Sequence, residues 1–253
     1  MSSSIITLTL FCTLTYALAS PILESIKDRG SLRVGTTFDY KPFTSKEDGK
    51  EIGFDIELAS LLAKKIGVNL TFVQTSWPNI VTDLQAAKYD IAMSGITHTT
   101  EREQLVSFTS SYLAIGKCPL ARKKDQKRFS TLKALNNPSV RIGVNPGGTN
   151  AKFVYTHCPK AQIVVIEDNL SIPKFIVANK VDVMITDNIE AVVSSRLHPT
   201  LCAINPDTPF TQSKLAYMVR KNDTEWLKWL EGQLIELQAT EAYKTLYKKH
   251  LAF

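Results

Sequence analysis

Short apolar, β-branched runs alternate with stretches of helical periodicity along most of the chain. In the first half, residues 32–36, 70–73 and 90–94 read as strands, with helical patterns over 54–66 and 80–87 between them. A second series repeats the scheme, with strands over 140–144, 163–166 and 181–185 and helices over 149–156, 172–178 and 189–197. Strand and helix in regular alternation predict a parallel α/β sheet in each half. The halves also echo each other locally. Arg33-Val-Gly-Thr-Thr37 matches Arg141-Ile-Gly-Val-Asn145, and Asp90-Ile-Ala-Met-Ser94 resembles Asp182-Val-Met-Ile-Thr186.

Residues 112–123 and 214–220 are strand-like, one lying between the two series and the other after the second. Read as two crossings, they make a hinged clamp with a ligand cleft between its lobes. Lobe one then takes 20–114 and 217–253, and lobe two 115–216, with hinge strands near 112–120 and 208–217. The stripe Trp226, Leu227, Leu230, Leu234, Leu237, Tyr243 and Leu246 has core spacing and predicts helices that return to lobe one.

Composition narrows the setting. Residues 1–20 carry no charged side chain, are apolar from Ile5 to Leu18 and end in Ala17-Leu18-Ala19, which predicts a signal peptide over 1–19 and a periplasmic or secreted protein. The remainder of the chain is long enough for two lobes of about 115 residues each. No later segment is apolar for the length a bilayer requires, so no stable membrane association is expected. The net charge of +6 suits anionic ligands. The basic run Arg122-Lys-Lys-Asp-Gln-Lys-Arg128 lacks interleaved aromatics and reads as a solvated loop, so no nucleic acid is expected. Three cysteines lie beyond the leader, Cys118, Cys158 and Cys202, allowing one disulfide at most; Cys202 is expected to be bridged or buried. The histidines are scattered singly, so no metal is expected. Asn69, Asn169 and Asn222 head sequons that matter in a host that glycosylates.

Candidate chemistry collects where strands give way to helices, the edge at which open α/β sheets bind ligands. Asp187 and Glu190 lie three apart at such a junction and share one helix face. Alone, that pair reads as a capped helix start. Four other junctions shift the reading. They offer Asp39 and Tyr40; Trp77 before Pro78; Ser94, Gly95, Thr97 and Arg102; and Asn145-Pro-Gly-Gly-Thr-Asn150, where Gly148 and Thr149 open a helix toward an anion.

The segments Gly35-Thr-Thr-Phe-Asp-Tyr-Lys-Pro-Phe43, Gly53-Phe-Asp55, Asp90-Ile-Ala-Met-Ser-Gly-Ile-Thr97, Arg102 and Phe108-Thr-Ser-Ser-Tyr112 resemble periplasmic solute-binding proteins for polar amino acids. That resemblance implies the two-lobed type II fold. It also implies that Arg102 grips an α-carboxylate with Ser94, Thr97 and Thr149, that Asp187 takes an α-ammonium, and that Tyr40 and Trp77 sandwich the side chain. A narrower resemblance rests on Thr75-Ser-Trp-Pro-Asn79, Asn145-Pro-Gly-Gly-Thr-Asn-Ala-Lys-Phe153, Thr186-Asp-Asn-Ile-Glu190 and Ser195-Arg-Leu-His-Pro-Thr-Leu-Cys-Ala203. These resemble the cyclohexadienyl dehydratases, which convert prephenate to phenylpyruvate and arogenate to phenylalanine with loss of water and carbon dioxide. The likeness implies Glu190 as general acid, Asn145, Thr97 and Arg102 as substrate holders, and no cofactor. His98 with Thr99 departs from the expected pattern. The alternative is an amino-acid-binding protein serving a membrane permease, which needs neither the acid at 190 nor the Asn145-Pro146 pair.

Overall fold

The computed structural model describes residues 20–252, so the leader expected over 1–19 lies outside the described residues. Two five-stranded sheets carry the two halves. The first runs Asn69–Gln74, Ser31–Thr36, Ile91–Ala92, Met218–Arg220, Val106–Phe108; the second runs Gln162–Val165, Arg141–Val144, Val183–Asp187, Lys117–Arg122, Leu201–Ala203. In each, three parallel strands meet an antiparallel fourth that has come from the other half of the sequence. Between the sheets, Leu113–Ile115 pairs antiparallel with Ser213–Leu215, and the chain passes from one half to the other through this ribbon.

The echo in the sequence has a structural counterpart. Val34 lies opposite Ile91 in one sheet as Ile142 lies opposite Val183 in the other. Asp90 accepts from the backbone and guanidinium of Arg33, and Asp182 does the same for Arg141. Each buried aspartate thereby ties the start of its strand to the neighbouring one, which fixes the register at the end away from the cleft.

Helix Phe54–Ile66 buries Leu58 and Leu62 against the first sheet, and helices Thr224–Gln238 and Glu241–His250 complete that core with Trp226, Leu230, Leu234, Leu237, Tyr243 and Leu246. Trp226 is wholly enclosed and donates its indole N–H to the Asp90 carbonyl at 3.1 Å, the partner that a buried indole requires. Among the described residues no helix is long and apolar enough to cross a membrane.

Local differences from the pattern have plain causes. The strand expected over 90–94 is two residues long, Ile91–Ala92, because the chain turns at Gly95 (φ +61°) to bring Thr97 and Arg102 to the cleft. The last strand of the second series is Val183–Asp187, two residues later than its apolar run, so Asp187 itself sits on the strand. A three-stranded ribbon, Asp39–Tyr40, Thr44–Glu47 and Lys50–Ile52, carries no apolar alternation and is not visible in the pattern. Cys202 is half-buried and unpaired, as are the buried Cys118 and Cys158, so it is neither bridged nor fully enclosed.

Candidate active site

The cleft between the sheets is nearly closed. A cavity of about 30 Å³ remains, lined by Tyr40, Trp77, Thr97, Asn145, Thr149 and Asp187 among others, room for a water or two. A ligand must therefore enter with the lobes apart. Several contacts hold them together: Tyr40 Oη donates to Asp187 Oδ2 at 2.5 Å, Thr97 and Thr149 hydroxyls meet at 3.4 Å, and Asn169 donates to the Asp39 carbonyl at 3.0 Å. Gly147 (φ +81°) lies so close to Pro78 that a Cβ there would sit 2.5 Å from its ring. Only glycine combines that backbone conformation with that approach.

Neither acid of the Asp187 and Glu190 pair caps its helix. Helix Asn188–Leu197 starts at Asp187 with no side-chain cap hydrogen bond. The Asp187 carboxylate turns instead to Lys117 Nζ at 2.7 Å and to Tyr40. Glu190 accepts from Asn169 Nδ2 at 2.7 Å and, through a short contact, from the Thr186 hydroxyl. It is 3% exposed. Burial, aided by the negative Asp187, raises its pKa to about 8 despite those two donors. That shift favours the protonated acid at neutral pH.

Lys117 lies at none of the strand-to-helix junctions and proves central. It begins strand Lys117–Arg122 directly opposite Asp187, and its ammonium also donates to Thr149 Oγ1 at 2.9 Å and Asn150 Oδ1 at 2.5 Å. All three protons are used. It thus holds one wall of the cleft: the Asp187 strand end and the start of helix Thr149–His157, whose N-cap Gly148 supplies no side-chain hydrogen bond. The first-turn N–H groups there remain for an anion.

The other expected residues fall into two groups. Gly95, Thr97, Asn145, Gly148 and Thr149 line the cavity with Tyr40, Trp77 and Asp187. Tyr40 and Trp77 meet edge to face, centroids 5.9 Å apart, and the indole N–H donates to Asp39 at 3.0 Å. Burial moves the Asp39 carboxyl up to about 6. Asn145, which lines the cavity, donates its amide N–H to the Glu167 carbonyl at 2.6 Å. Ser94, Arg102 and Glu190 are not among the residues that line it. Ser94 is wholly buried under the floor, bonded to the Thr37 amide and to the Thr37 and Thr44 hydroxyls, so it supports the site without reaching it. Arg102 donates Nη1 to the Thr97 carbonyl at 2.9 Å. Its other guanidinium nitrogens make no hydrogen bond among the described residues. Thr99, in the departing His98-Thr99 pair, caps the short helix that carries Arg102, and His98 stacks on Phe108.

Two further residues escaped the pattern. Asn169, a sequon asparagine, is buried between Glu190 and Asp39, which rules out a glycan there in this fold. Asp55 is buried beneath Gly95, accepting from its N–H at 2.6 Å and from Tyr217 and Tyr112 beside the two hinge strands. Desolvation moves its carboxyl up to about 7.

The profile of the bacterial extracellular solute-binding proteins, family 3, matches residues 32–253. A cyclohexadienyl dehydratase from Pseudomonas aeruginosa is 45% identical over 202 residues, covering 79% of this chain and 75% of that protein. The crystal structure of an ancestral amino-acid-binding protein, a precursor of cyclohexadienyl dehydratase, is 37% identical with a TM-score of 0.84, covering 90% of this chain and 98% of that one. An ancestral cyclohexadienyl dehydratase is 46% identical with a TM-score of 0.56, covering 91% and 96%. A two-lobed sheet architecture whose closed cleft is built from strand ends thus coincides with a sequence match over nearly all the described residues, and the chain belongs to the bacterial extracellular solute-binding proteins, family 3.

Proposed function

We propose that this protein is an exported cyclohexadienyl dehydratase that converts prephenate to phenylpyruvate, and arogenate to phenylalanine, with loss of water and carbon dioxide. The observation that carries the reading is Glu190, a buried carboxyl raised to about 8 behind a cleft built for anions. A transport protein gains nothing from such an acid, whereas dehydration needs one. The likeness to the Pseudomonas aeruginosa enzyme supports the same conclusion.

In this mechanism the free nitrogens of Arg102 and the first-turn amides after Gly148 hold the two substrate carboxylates, and Tyr40 and Trp77 close over the ring. Glu190 gives its proton to the ring hydroxyl as the C–O bond breaks, and water departs. The C–C bond to the ring carboxylate breaks in turn, its electron pair completes the aromatic ring, and carbon dioxide leaves. One proton is consumed per turnover, so Glu190 recovers it from solvent when the cleft opens. The ionised product form accepts from Asn169 and Thr186, donors already in place.

Lys117 bears on substrate choice. Its ammonium occupies the Asp187 carboxylate that an amino-acid ligand would use for its own α-ammonium. That disfavours amino-acid transport and favours prephenate, which carries a keto group there, over arogenate. The test is to incubate purified protein with each compound and follow phenylpyruvate and phenylalanine. The expected result is turnover of both with a higher kcat/KM for prephenate. Absence of turnover with tight binding of an amino acid would transfer the protein to the transport class.

A further inference from the structure

Asn169 joins the two lobes through a single nitrogen. Its Nδ2 donates to Glu190 Oε1 at 2.7 Å and to the backbone oxygen of Asp39 at 3.0 Å, and these acceptors belong to opposite sides of the cleft. Asn169 is 4% exposed and lines the cavity. An amide can offer a neighbour either its N–H or its oxygen, and a protonated carboxyl can pair with either. A backbone carbonyl accepts only. With the lobes together, the Asp39 carbonyl therefore fixes the amide with nitrogen toward Glu190.

The remaining surroundings of Glu190 define what that orientation does. Thr186 donates to Oε2 while itself accepting from Asn150 Nδ2 at 3.0 Å. Asp187, ion-paired to Lys117, adjoins it on its own side; Asp39 and Tyr40 face it from the other lobe, and the Cys118 thiol from the neighbouring strand. Burial and the two aspartates favour the acid form, while the two donors favour the carboxylate. Of these donors only Asn169 is held by a contact that crosses the cleft. When the lobes part, the Asp39 carbonyl withdraws and the amide is free to turn its oxygen to the Glu190 O–H.

We propose that Asn169 is a positioning residue that couples closure of the cleft to proton release by Glu190. With the cleft open the amide oxygen accepts from the protonated acid and keeps it loaded. Closure locks the N–H against Oε1 and stabilises the carboxylate that forms as the proton passes to the substrate hydroxyl. The inference rests on Glu190 as the general acid, and the experiment separates the two.

The test measures kcat and KM for prephenate against pH in Asn169→Leu and Asn169→Ala, with wild type and Glu190→Gln in parallel. Loss of the N–H should lower kcat about tenfold or more with KM within about threefold, the signature of an interaction made in the transition state. Removing a donor to a carboxylate raises its pKa, so the high-pH limb of kcat should move upward, by about half a unit or more. A purely structural role would leave that limb in place. Should the Leu variant fail to fold, the smaller Ala variant carries the measurement. An unmoved limb with kcat within about threefold of wild type, or a raised KM at unchanged kcat, overturns the coupling while leaving Glu190 as the acid. Inactive wild type, or an active Glu190→Gln, overturns both.

Discussion

Replacing Lys117 with Met tests whether the cleft wall depends on a buried ion pair. Methionine keeps the length and most of the volume of the side chain, so the change removes the charge and three hydrogen bonds while leaving the packing. Lys117 and Asp187 keep only 5% and 3% of their side-chain exposure and stand 2.7 Å apart. Removing one member of a buried pair strands the other, a loss of about 3–5 kcal/mol. Asp187 retains the Tyr40 hydroxyl, and the variant can hydrate the carboxylate by opening the cleft. Both effects place the outcome near the lower end, about 3 kcal/mol. For a chain of this length that corresponds to a melting temperature lower by about 6–12 °C. Urea unfolding should show the midpoint moved down at unchanged slope. Adding Asp187→Asn to the same background should recover most of the loss, because the stranded charge goes with it. A loss under about 1 kcal/mol, or a double variant no more stable than Lys117→Met, would refute the assignment of the cost to an uncompensated buried charge.

The same geometry sets three shorter expectations. The Glu190 carboxyl is raised in the folded state from 4.5 to about 8, so its contribution to stability is complete below about pH 4.5 and is lost as pH rises through 8. Wild type should be less stable at pH 9 than at pH 6, and Glu190→Gln should remove about 2–3 kcal/mol of that difference in parallel urea titrations; an identical decline in both would place the titration elsewhere. Gly147→Ala should still fold but melt lower, by about 2–8 °C, because alanine costs about 1–2 kcal/mol in the left-handed region, and it should lose turnover because a Cβ against Pro78 props the cleft open; full activity would show the approach to be dispensable. Arg102→Lys should raise KM for prephenate at least about tenfold, a point charge replacing a fork with two nitrogens to spare, and an unchanged KM would remove Arg102 from substrate contact.

The parts of the site legible in the sequence are those set by local order. Asp39, Tyr40, Trp77, Asn145, Gly148, Thr149 and Asp187 each come after an apolar strand run, and a strand end in an α/β sheet faces the cleft whatever the distant chain does. Lys117 depends on a long-range pairing. It meets Asp187 only because strand Lys117–Arg122 runs antiparallel to Val183–Asp187 in that register. Its one signal is local, a solitary charge in the run Leu113-Ala-Ile-Gly-Lys-Cys-Pro-Leu-Ala121, where an unpaired ammonium is costly enough to demand a partner. Asn169 sits in Glu167-Asp-Asn-Leu-Ser171, polar enough to pass for an exposed turn. Nothing local indicates that lobe closure buries it. Ser94 shows the opposite case. It has a ligand-type hydroxyl at a strand end, but the turn at Gly95 points it at Thr37 and Thr44 beneath the floor.

If Glu190 donates a proton to a bound cyclohexadienyl substrate, the decisive measurement is the rate of phenylpyruvate formation by Glu190→Gln. Glutamine keeps the size and can still pair with its neighbours, but it has no proton to transfer. Glu190→Gln should bind prephenate about as wild type does, with kcat lower by about a hundredfold or more. A variant whose kcat stays within about threefold of wild type would contradict that role, leaving Glu190 a buried structural acid and the proton to another group.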